Sequence, residues 1–202
     1  MHRTIETLMN EHRVIEQVLA VLEAAAVLDE AGTPVARSRV SELGEFFKGF
    51  ADTCHHGKEE DVLFRIMTEV GFPRDRGPIA VMLAEHELGR EHVRALRAIG
   101  AGKGPLTAAE RSSFASHAKA FAPLLRQHIA KEDSVLYPMA LQAIPAATLD
   151  AMAEQFEQFE ATITGAGEHE RLHALADTLV AAFPEVAPCV PSPACHGCHG
   201  HP

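Results

Sequence analysis

The stretch His55-His56-Gly57-Lys58-Glu59-Glu60-Asp61-Val62-Leu63-Phe64 returns 73 residues later as His128-Ile129-Ala130-Lys131-Glu132-Asp133-Ser134-Val135-Leu136-Tyr137. Aligned, the two share His, Lys, Glu, Val and Leu, with an acidic residue after the Glu and an aromatic ring at the end. The alignment also fixes a register. His55 with Glu59 and His56 with Glu60 are both four apart, but only the first pair falls on His128 and Glu132. Residues four apart on a helix share a face. The chain therefore presents one His-x-x-x-Glu face twice, and both copies must be helical for that face to exist.

The surrounding pattern predicts the helices. Thr4 reads as the N-cap of a first helix running to about Glu30, with Ile5, Leu8, His12, Ile15, Leu19 and Leu22 as its stripe and Gly32 as its stop. Thr33 and Pro34 read as the start of a second helix that reaches about Val70 and aligns Phe47, Ala51, His55, Glu59, Val62 and Ile66. Gly71-Phe72-Pro73 and Gly77-Pro78 interrupt the chain. A third helix covers about Ile79 to Ile99, with Ile79, Met82, His86 and Val93 in line. Thr107-x-x-Glu110 is a capping-box pattern opening a fourth. That helix carries Phe121, Leu124, His128, Glu132, Val135 and Met139, with Pro123 expected to kink it.

Shorter helices are expected over about 147–163 and 168–183. From Pro184 the composition turns to Pro, Gly, Cys and His, which predicts one domain over 1–183 and a flexible tail over 184–202. Four long helices with short turns and single apolar stripes predict an all-α, antiparallel up-and-down four-helix bundle with additional C-terminal helices.

Composition excludes several functions. A net charge of −10 argues against a nucleic-acid or anionic-membrane surface. No apolar run approaches the roughly 20 residues of a membrane span. The polar residues His2, Arg3, Glu6, Asn10, Glu11 and His12 interrupt any signal-peptide core, so the cytoplasm is the expected location. Cys54 in mid-chain, with Cys189, Cys195 and Cys198 near the end, makes no disulfide framework for the core.

Chemistry enters where polar residues interrupt the stripes. His12, His55, Glu59, His86, His128 and Glu132 all occupy apolar faces, so the bundle interior receives four imidazoles and two carboxylates. Two buried carboxylates near one another repel. Cations neutralise them, and imidazole binds metal through its neutral form. Nitrogen and oxygen donors without thiolate suit iron, manganese or zinc. The expected arrangement places His12 and His55 on one metal, His86 and His128 on the other, and Glu59 and Glu132 between them.

In this order (His, His-x-x-x-Glu, His, His-x-x-x-Glu over four helices) the chain resembles the hemerythrin/HHE cation-binding domain over roughly residues 4–183. His55…Leu63-Phe64, Glu85-His86 and His128…Leu136-Tyr137-Pro138 carry the resemblance. It implies a non-haem, oxo- or hydroxo-bridged centre of two iron ions, held by His12, His55, Glu59, His86, His128 and Glu132. Manganese or a mixed iron/manganese pair fits the same donors. Oxygen-carrying hemerythrins place a His-x-x-x-His pair on the third helix; here the positions four before and four after His86 are Met82 and Arg90. The set is more similar to hemerythrin-like proteins that handle nitric oxide or peroxide. Among these, the repair-of-iron-centres proteins usually carry an N-terminal cysteine-motif domain.

The remaining polar residues are read as ordinary ones. His56 and Glu60 are expected to flank or support the ligands, and Asp61 and Asp133 to lie on a solvated face. Glu16, His92 and His117 are expected on helix surfaces. Tyr137 is expected to pack in the core with its hydroxyl at the bundle edge, the other reading being a donor or redox relay at the centre. Cys54 is expected to be an inert buried thiol, and Arg90 to pair with Glu87 or Glu91. Glu170-x-x-His173 is half of a ferritin-type motif, read as coincidence. Cys195-His196-Gly197-Cys198-His199 matches the c-type haem attachment pattern, but a flexible tail is the expectation, with metal binding joined by Cys189 and His201 as a lesser one.

These features predict a non-haem di-iron protein that binds or reduces dioxygen, nitric oxide or peroxide, drawing on an external electron donor for turnover. The alternative is a non-catalytic iron, oxygen or redox sensor, or an iron-storage protein, whose bundle is stabilised by metal.

Overall fold

The computed structural model describes residues 2–183. Helix α1 (Arg3–Glu30) is followed by α2 (Arg37–Phe46), which continues through a π-helical stretch at Phe47–His56 and a π turn at Glu59–Leu63 into α3 (Phe64–Glu69). The return helix is α4 (Gly77–Gly100). Helix α5 (Ala108–Lys131) passes through a π turn at Glu132–Leu136 into α6 (Tyr137–Ala143). Helix α7 (Ala146–Phe159), a π segment at Glu160–Gly165 and α8 (Glu168–Ala181) complete the described residues, among which there is no strand. The predicted tail, with Cys189, Cys195, Cys198, His199 and His201, lies outside them.

The apolar residues form two cores stacked along the bundle. One holds Ile5 and Leu8 of α1, Leu63 and Met67, Ile79 and Met82 of α4, and Leu136 and Ala140. The other holds Ile15, Leu19 and Leu22 of α1, Phe46, Phe47 and Phe50, Val93 and Leu96 of α4, and Phe121 and Leu125 of α5. Read along the chain, successive bundle helices cross from one core to the other in alternating direction, which is the up-and-down topology expected. Helix α7 closes the first core with Leu149, Met152 and Phe156, and α8 closes the second with Leu172, Ala176 and Leu179. Each fully buried Leu or Phe contributes about 1.5–3 kcal/mol.

Several local expectations change. His2, not Thr4, caps α1, and the Thr4 hydroxyl instead donates to the Leu149 carbonyl at 2.8 Å, tying α1 to α7. Thr33 and Pro34 stay outside α2, which starts at Arg37, because the Val35 N–H donates to the Asp29 carboxylate at 2.9 Å and holds the connection extended. The Thr107–Glu110 capping box is present. Pro123 does not break α5: it sits on the exposed side, where water can reach the carbonyl of exposed Lys119 that loses its partner. Val135 is 48 % exposed, whereas Leu136 and Tyr137 are buried. The π turn brings the Tyr137 N–H onto the Glu132 carbonyl, and Val62, at the equivalent place in the first copy, is buried.

The α2–α4 crossing is tight at Gly100, where a Cβ would lie 2.6 Å from the Ser41 Cα. Gly100→Ala should gain about 1 kcal/mol of helix propensity yet lose about 1–3 kcal/mol to overpacking against backbone. Urea unfolding should therefore show a lower midpoint; a raised midpoint would show that the crossing relaxes freely.

Candidate metal centre

A polar layer separates the two cores, at the same level in all four bundle helices. His12 of α1, His55, His56 and Glu59 of the second bundle helix, His86 of α4, and His128 and Glu132 of the fourth are each no more than 5 % exposed. All six predicted site residues are thus brought together, and His56 joins them.

Every predicted histidine is aimed by a carboxylate behind it. His12 Nδ1 lies 2.7 Å from Asp133, His55 Nδ1 2.8 Å from Glu11, His86 Nδ1 2.6 Å from Glu60 and His128 Nδ1 3.0 Å from Glu85. An ionised carboxylate only accepts, so Nδ1 carries a hydrogen and Nε2 is the ring atom that faces inwards. Each carboxylate in turn meets a cation. Arg13 donates to Asp133, Lys58 to Glu11, Lys131 to Glu85, and Arg90 to Glu60 at 2.7 Å. With the outer carboxylates each paired to a cation, Glu59 and Glu132 are the carboxylates left to face the histidines inside the layer.

The sequence pattern behind this is larger than the repeat of ten. Glu11-His12 and Glu85-His86 are the same dipeptide 74 residues apart, close to the 73 that separates the two His-x-x-x-Glu copies. In each half the Glu of the dipeptide holds the histidine of the next bundle helix. The acidic residue after the inner Glu, Glu60 or Asp133, holds the dipeptide histidine of the opposite half. The lysine of His-x-x-Lys points at the same carboxylate as its own histidine. Asp133, expected on a solvated face, therefore acts inside the network, while Asp61 is exposed.

Within the layer, donor atoms form two overlapping groups, each within 4.8 Å: His12, His55, Glu59 and Glu132; and His56, Glu59, His86 and His128. Glu132 spans both, with Oε2 3.2 Å from His12 Nε2 and Oε1 3.1 Å from His128 Nε2, neither aligned as a hydrogen bond. Glu59 Oε2 lies 3.7 Å from His55 Nε2 and 3.5 Å from His86 Nε2. His55 Nε2, both ring nitrogens of His56, Glu59 Oε2 and both Glu132 oxygens are buried with no hydrogen-bond partner. His86 and His128 bring their Nε2 atoms to 3.0 Å. Two lone pairs at that distance require a proton or a cation between them. Orphaned donors converging on two carboxylates are what a metal-binding set needs, so the residues fit the group their chemistry implies.

The electrostatics agree. Burial opposes charge on His12, but the hydrogen bond to Asp133 and the adjacent Glu132 carboxylate raise its pKa to about 9. Burial likewise opposes charge on His128, but Glu132 and Glu85 raise it to about 10. Burial would raise Glu132, yet His128 and His12 hold it well below the usual carboxylate range. His56 moves the other way: burial, and then His86 and His128, push it well below 6.5, so it is neutral imidazole. Tyr137 also departs from expectation. Its ring stacks on His12, centroids 5.5 Å apart, and its hydroxyl donates to Glu59 Oε1 at 2.7 Å, inside the layer and not at the bundle edge.

Other residues sit where expected or one step away. Cys54 is buried off the layer, 3.4 Å from His169 Nδ1, with its thiol pushed up to about 11 chiefly by burial. Arg90 pairs with Glu87, as anticipated, but also with Asp52 and Glu60, which puts it behind His86. Glu16 pairs with Arg13, and His92 meets His117 at 3.0 Å on the partly exposed side of α4 and α5. Glu170 and His173 are exposed.

A four-helix bundle whose central layer is a buried His/carboxylate cluster is a metal-binding helical protein. The chain belongs to the hemerythrin HHE cation-binding domain family, whose model matches residues 3–140. It is also 24 % identical over 155 residues to uncharacterised proteins of Mycobacterium bovis and Mycobacterium tuberculosis. That alignment covers 77 % of this chain and 60 % of the length of each relative. No solved structure gives a significant match. Among the described residues no helix is long and apolar enough to cross a membrane.

Lys58 and Lys131 occupy equivalent positions but differ in burial, with side chains 0 % and 41 % exposed. Lys58→Met should cost about 3–5 kcal/mol, because it strands the buried Glu11 carboxylate; Lys131→Met should cost below about 1 kcal/mol. Chemical denaturation of the two variants compares them directly. Burial alone would raise Glu11, but His55 and Lys58 bring it from 4.5 to about 2. Its contribution is therefore complete above about pH 4.5 and lost as pH falls towards 2, and in Lys58→Met the acid limb should move to higher pH.

Protons and cations compete for the same Nε2 atoms. Metal uptake at pH 7 should therefore release protons and tighten as pH rises towards 9, measurable by titration in buffers of different ionisation enthalpy. Uptake without proton release would contradict the raised values at His12 and His128.

Proposed function

We propose that this chain is a non-haem di-iron protein that binds or reduces a small oxidant: dioxygen, nitric oxide or peroxide. The observation that supports this best is the pair of overlapping donor groups that share Glu59, with Glu132 in one group and its Oε1 3.1 Å from His128 Nε2 of the other. In this reading His12 and His55 hold one metal, His86 and His128 the other, and the two glutamates lie between. Iron bound there would supply one-electron redox steps and coordination positions for a small ligand; manganese suits the same donors.

The protein's own part is positioning and exclusion. The outer carboxylates keep the four Nε2 lone pairs facing inwards. The apolar cores on either side exclude water, and the burial of every residue of the layer restricts access to small molecules. The Tyr137 hydroxyl donates to Glu59 and lies 3.3 Å from His12 Nε2, on the His12 side of the layer. Turnover draws on an external electron donor; reversible binding does not. A cytoplasmic location is proposed on the free, buried thiol of Cys54.

A second reading, a metal-stabilised sensor or iron store, is favoured by the position of the layer. It joins all four bundle helices between two separate cores, so cation binding is linked to bundle stability.

Metal analysis and optical spectra of anaerobically purified protein, before and after air, test both readings. About two irons per chain, with a ferric charge-transfer band that forms on oxidation, is the expected result. Bleaching on repeated peroxide or nitric oxide addition selects turnover, and a band reversed by removing oxygen selects carriage. If oxidants leave the spectrum unchanged while metal removal lowers the melting temperature sharply, the sensor or storage reading stands. A well-folded chain without metal, whose His128→Ala variant melts at the same temperature, would overturn the proposal.

A further inference from the structure

The two halves of the centre are related by the internal repeat, so positions at which they differ deserve separate weight. Aligning His55 with His128 places His56 opposite Ile129 and Phe64 opposite Tyr137. The aromatic pair is symmetric in placement: Tyr137 stacks on His12 with centroids 5.5 Å apart, and Phe64 on His86 at 6.0 Å. It is asymmetric in chemistry, since only Tyr137 brings a hydroxyl. His56 and Ile129 are both buried, at 5 % and 1 % exposure, but only one of them carries donor atoms.

His56 has the features of a ligand. Its ring stacks on that of His86, centroids 3.8 Å apart, and its centroid is 5.6 Å from that of His128. Because an imidazole lone pair lies in the ring plane, sharing a cation with His86 requires His56 to turn out of this stack. One of its ring nitrogens falls within 4.8 Å of donor atoms from Glu59, His86 and His128. Unlike the four other histidines of the layer, it has no carboxylate on either nitrogen, and both are buried without a partner. Leaving an imidazole nitrogen buried and unpaired costs roughly 1–3 kcal/mol. The backbone explains how two neighbouring histidines reach one interior. Both adjacent positions are interior in each copy, as the burial of Ile129 beside His128 shows, and in the first copy the π-helical stretch ends at His56. The equivalent His128-Ile129 pair lies on regular α-helix.

We propose that His56 is a metal ligand, giving the His86/His128 side of the centre a third imidazole while the His12/His55 side keeps two and the Tyr137 hydroxyl. The centre is thereby asymmetric, and its third imidazole comes from the second bundle helix. This rests on the two-metal reading above and adds to it the inequivalence of the two positions.

The test compares iron-loaded wild type with His56→Gly and His56→Leu, reading iron per chain, loss of iron to a chelator and the optical spectrum. The expected result is two irons in wild type, and at least tenfold faster loss of one iron in both variants. Added imidazole should restore retention and the wild-type spectrum in His56→Gly but not in His56→Leu. Two irons held with wild-type retention and spectrum in both variants would overturn the role of His56 while leaving the di-iron reading intact. Wild type without metal would overturn both. If the variants fold poorly, cobalt-substituted wild type with 15N-labelled histidine decides: five hyperfine-shifted imidazoles are expected, and four would overturn the assignment.

Discussion

The structure depends on the four chains of histidine, carboxylate and cation that surround the central layer. Without them, four imidazoles facing one another across a bundle core would be free to rotate, and their tautomers would be undetermined. With them, each Nδ1 is committed outwards and each Nε2 inwards. The cations behind the carboxylates matter as much. Because Arg13, Lys58, Arg90 and Lys131 meet the outer acids, Glu59 and Glu132 are the carboxylates left to the inner histidines, where a metal would replace the protons on His12 and His128. This concentrates the attraction for cations at the one place where imidazole lone pairs also converge.

The same arrangement links fold to function. Each outer carboxylate comes from a different helix than the histidine it holds, so the network also fixes the four helices against one another. Two apolar cores supply most of the burial, and the polar layer between them sets helix register. Such a layer costs stability unless every group is satisfied. The outer atoms are satisfied by protein, whereas the inner ones are left to one another. A bundle built this way gains stability from whatever cation it binds, and loses it when that cation leaves.

Approximate twofold symmetry runs through the centre, and the departures from it give the two sides different chemistry. Tyr137 opposite Phe64, and His56 opposite Ile129, place a hydroxyl on one side and an extra imidazole on the other. Both lie at π winding, which follows the inner glutamate in both copies and precedes it only in the first. Irregular helical turns of this kind recur at functional positions. Here they flank the inner glutamates.

Much of this was legible in the residues alone. The apolar stripes, the Gly/Pro breaks and the repeated His-x-x-x-Glu determine four antiparallel helices and bring six polar side chains into their interior, because helical periodicity is local and survives into the fold. The pairing of Glu11 with His55, or Glu85 with His128, was written in the repeated Glu-His dipeptide, yet it joins different helices and so has no local signature. Asp133 and Tyr137 were placed by regular α-helical spacing, which the π turn at Glu132–Leu136 shifts. The repeat points away from His56, because it aligns His55 with His128 and leaves Ile129 opposite His56. Sequence by itself determined the helices, their order and the chemical types in the core. Only the tertiary structure decided which carboxylate holds which histidine and which of two neighbouring histidines reach the centre, since those follow from helix packing and local winding, not from spacing along the chain.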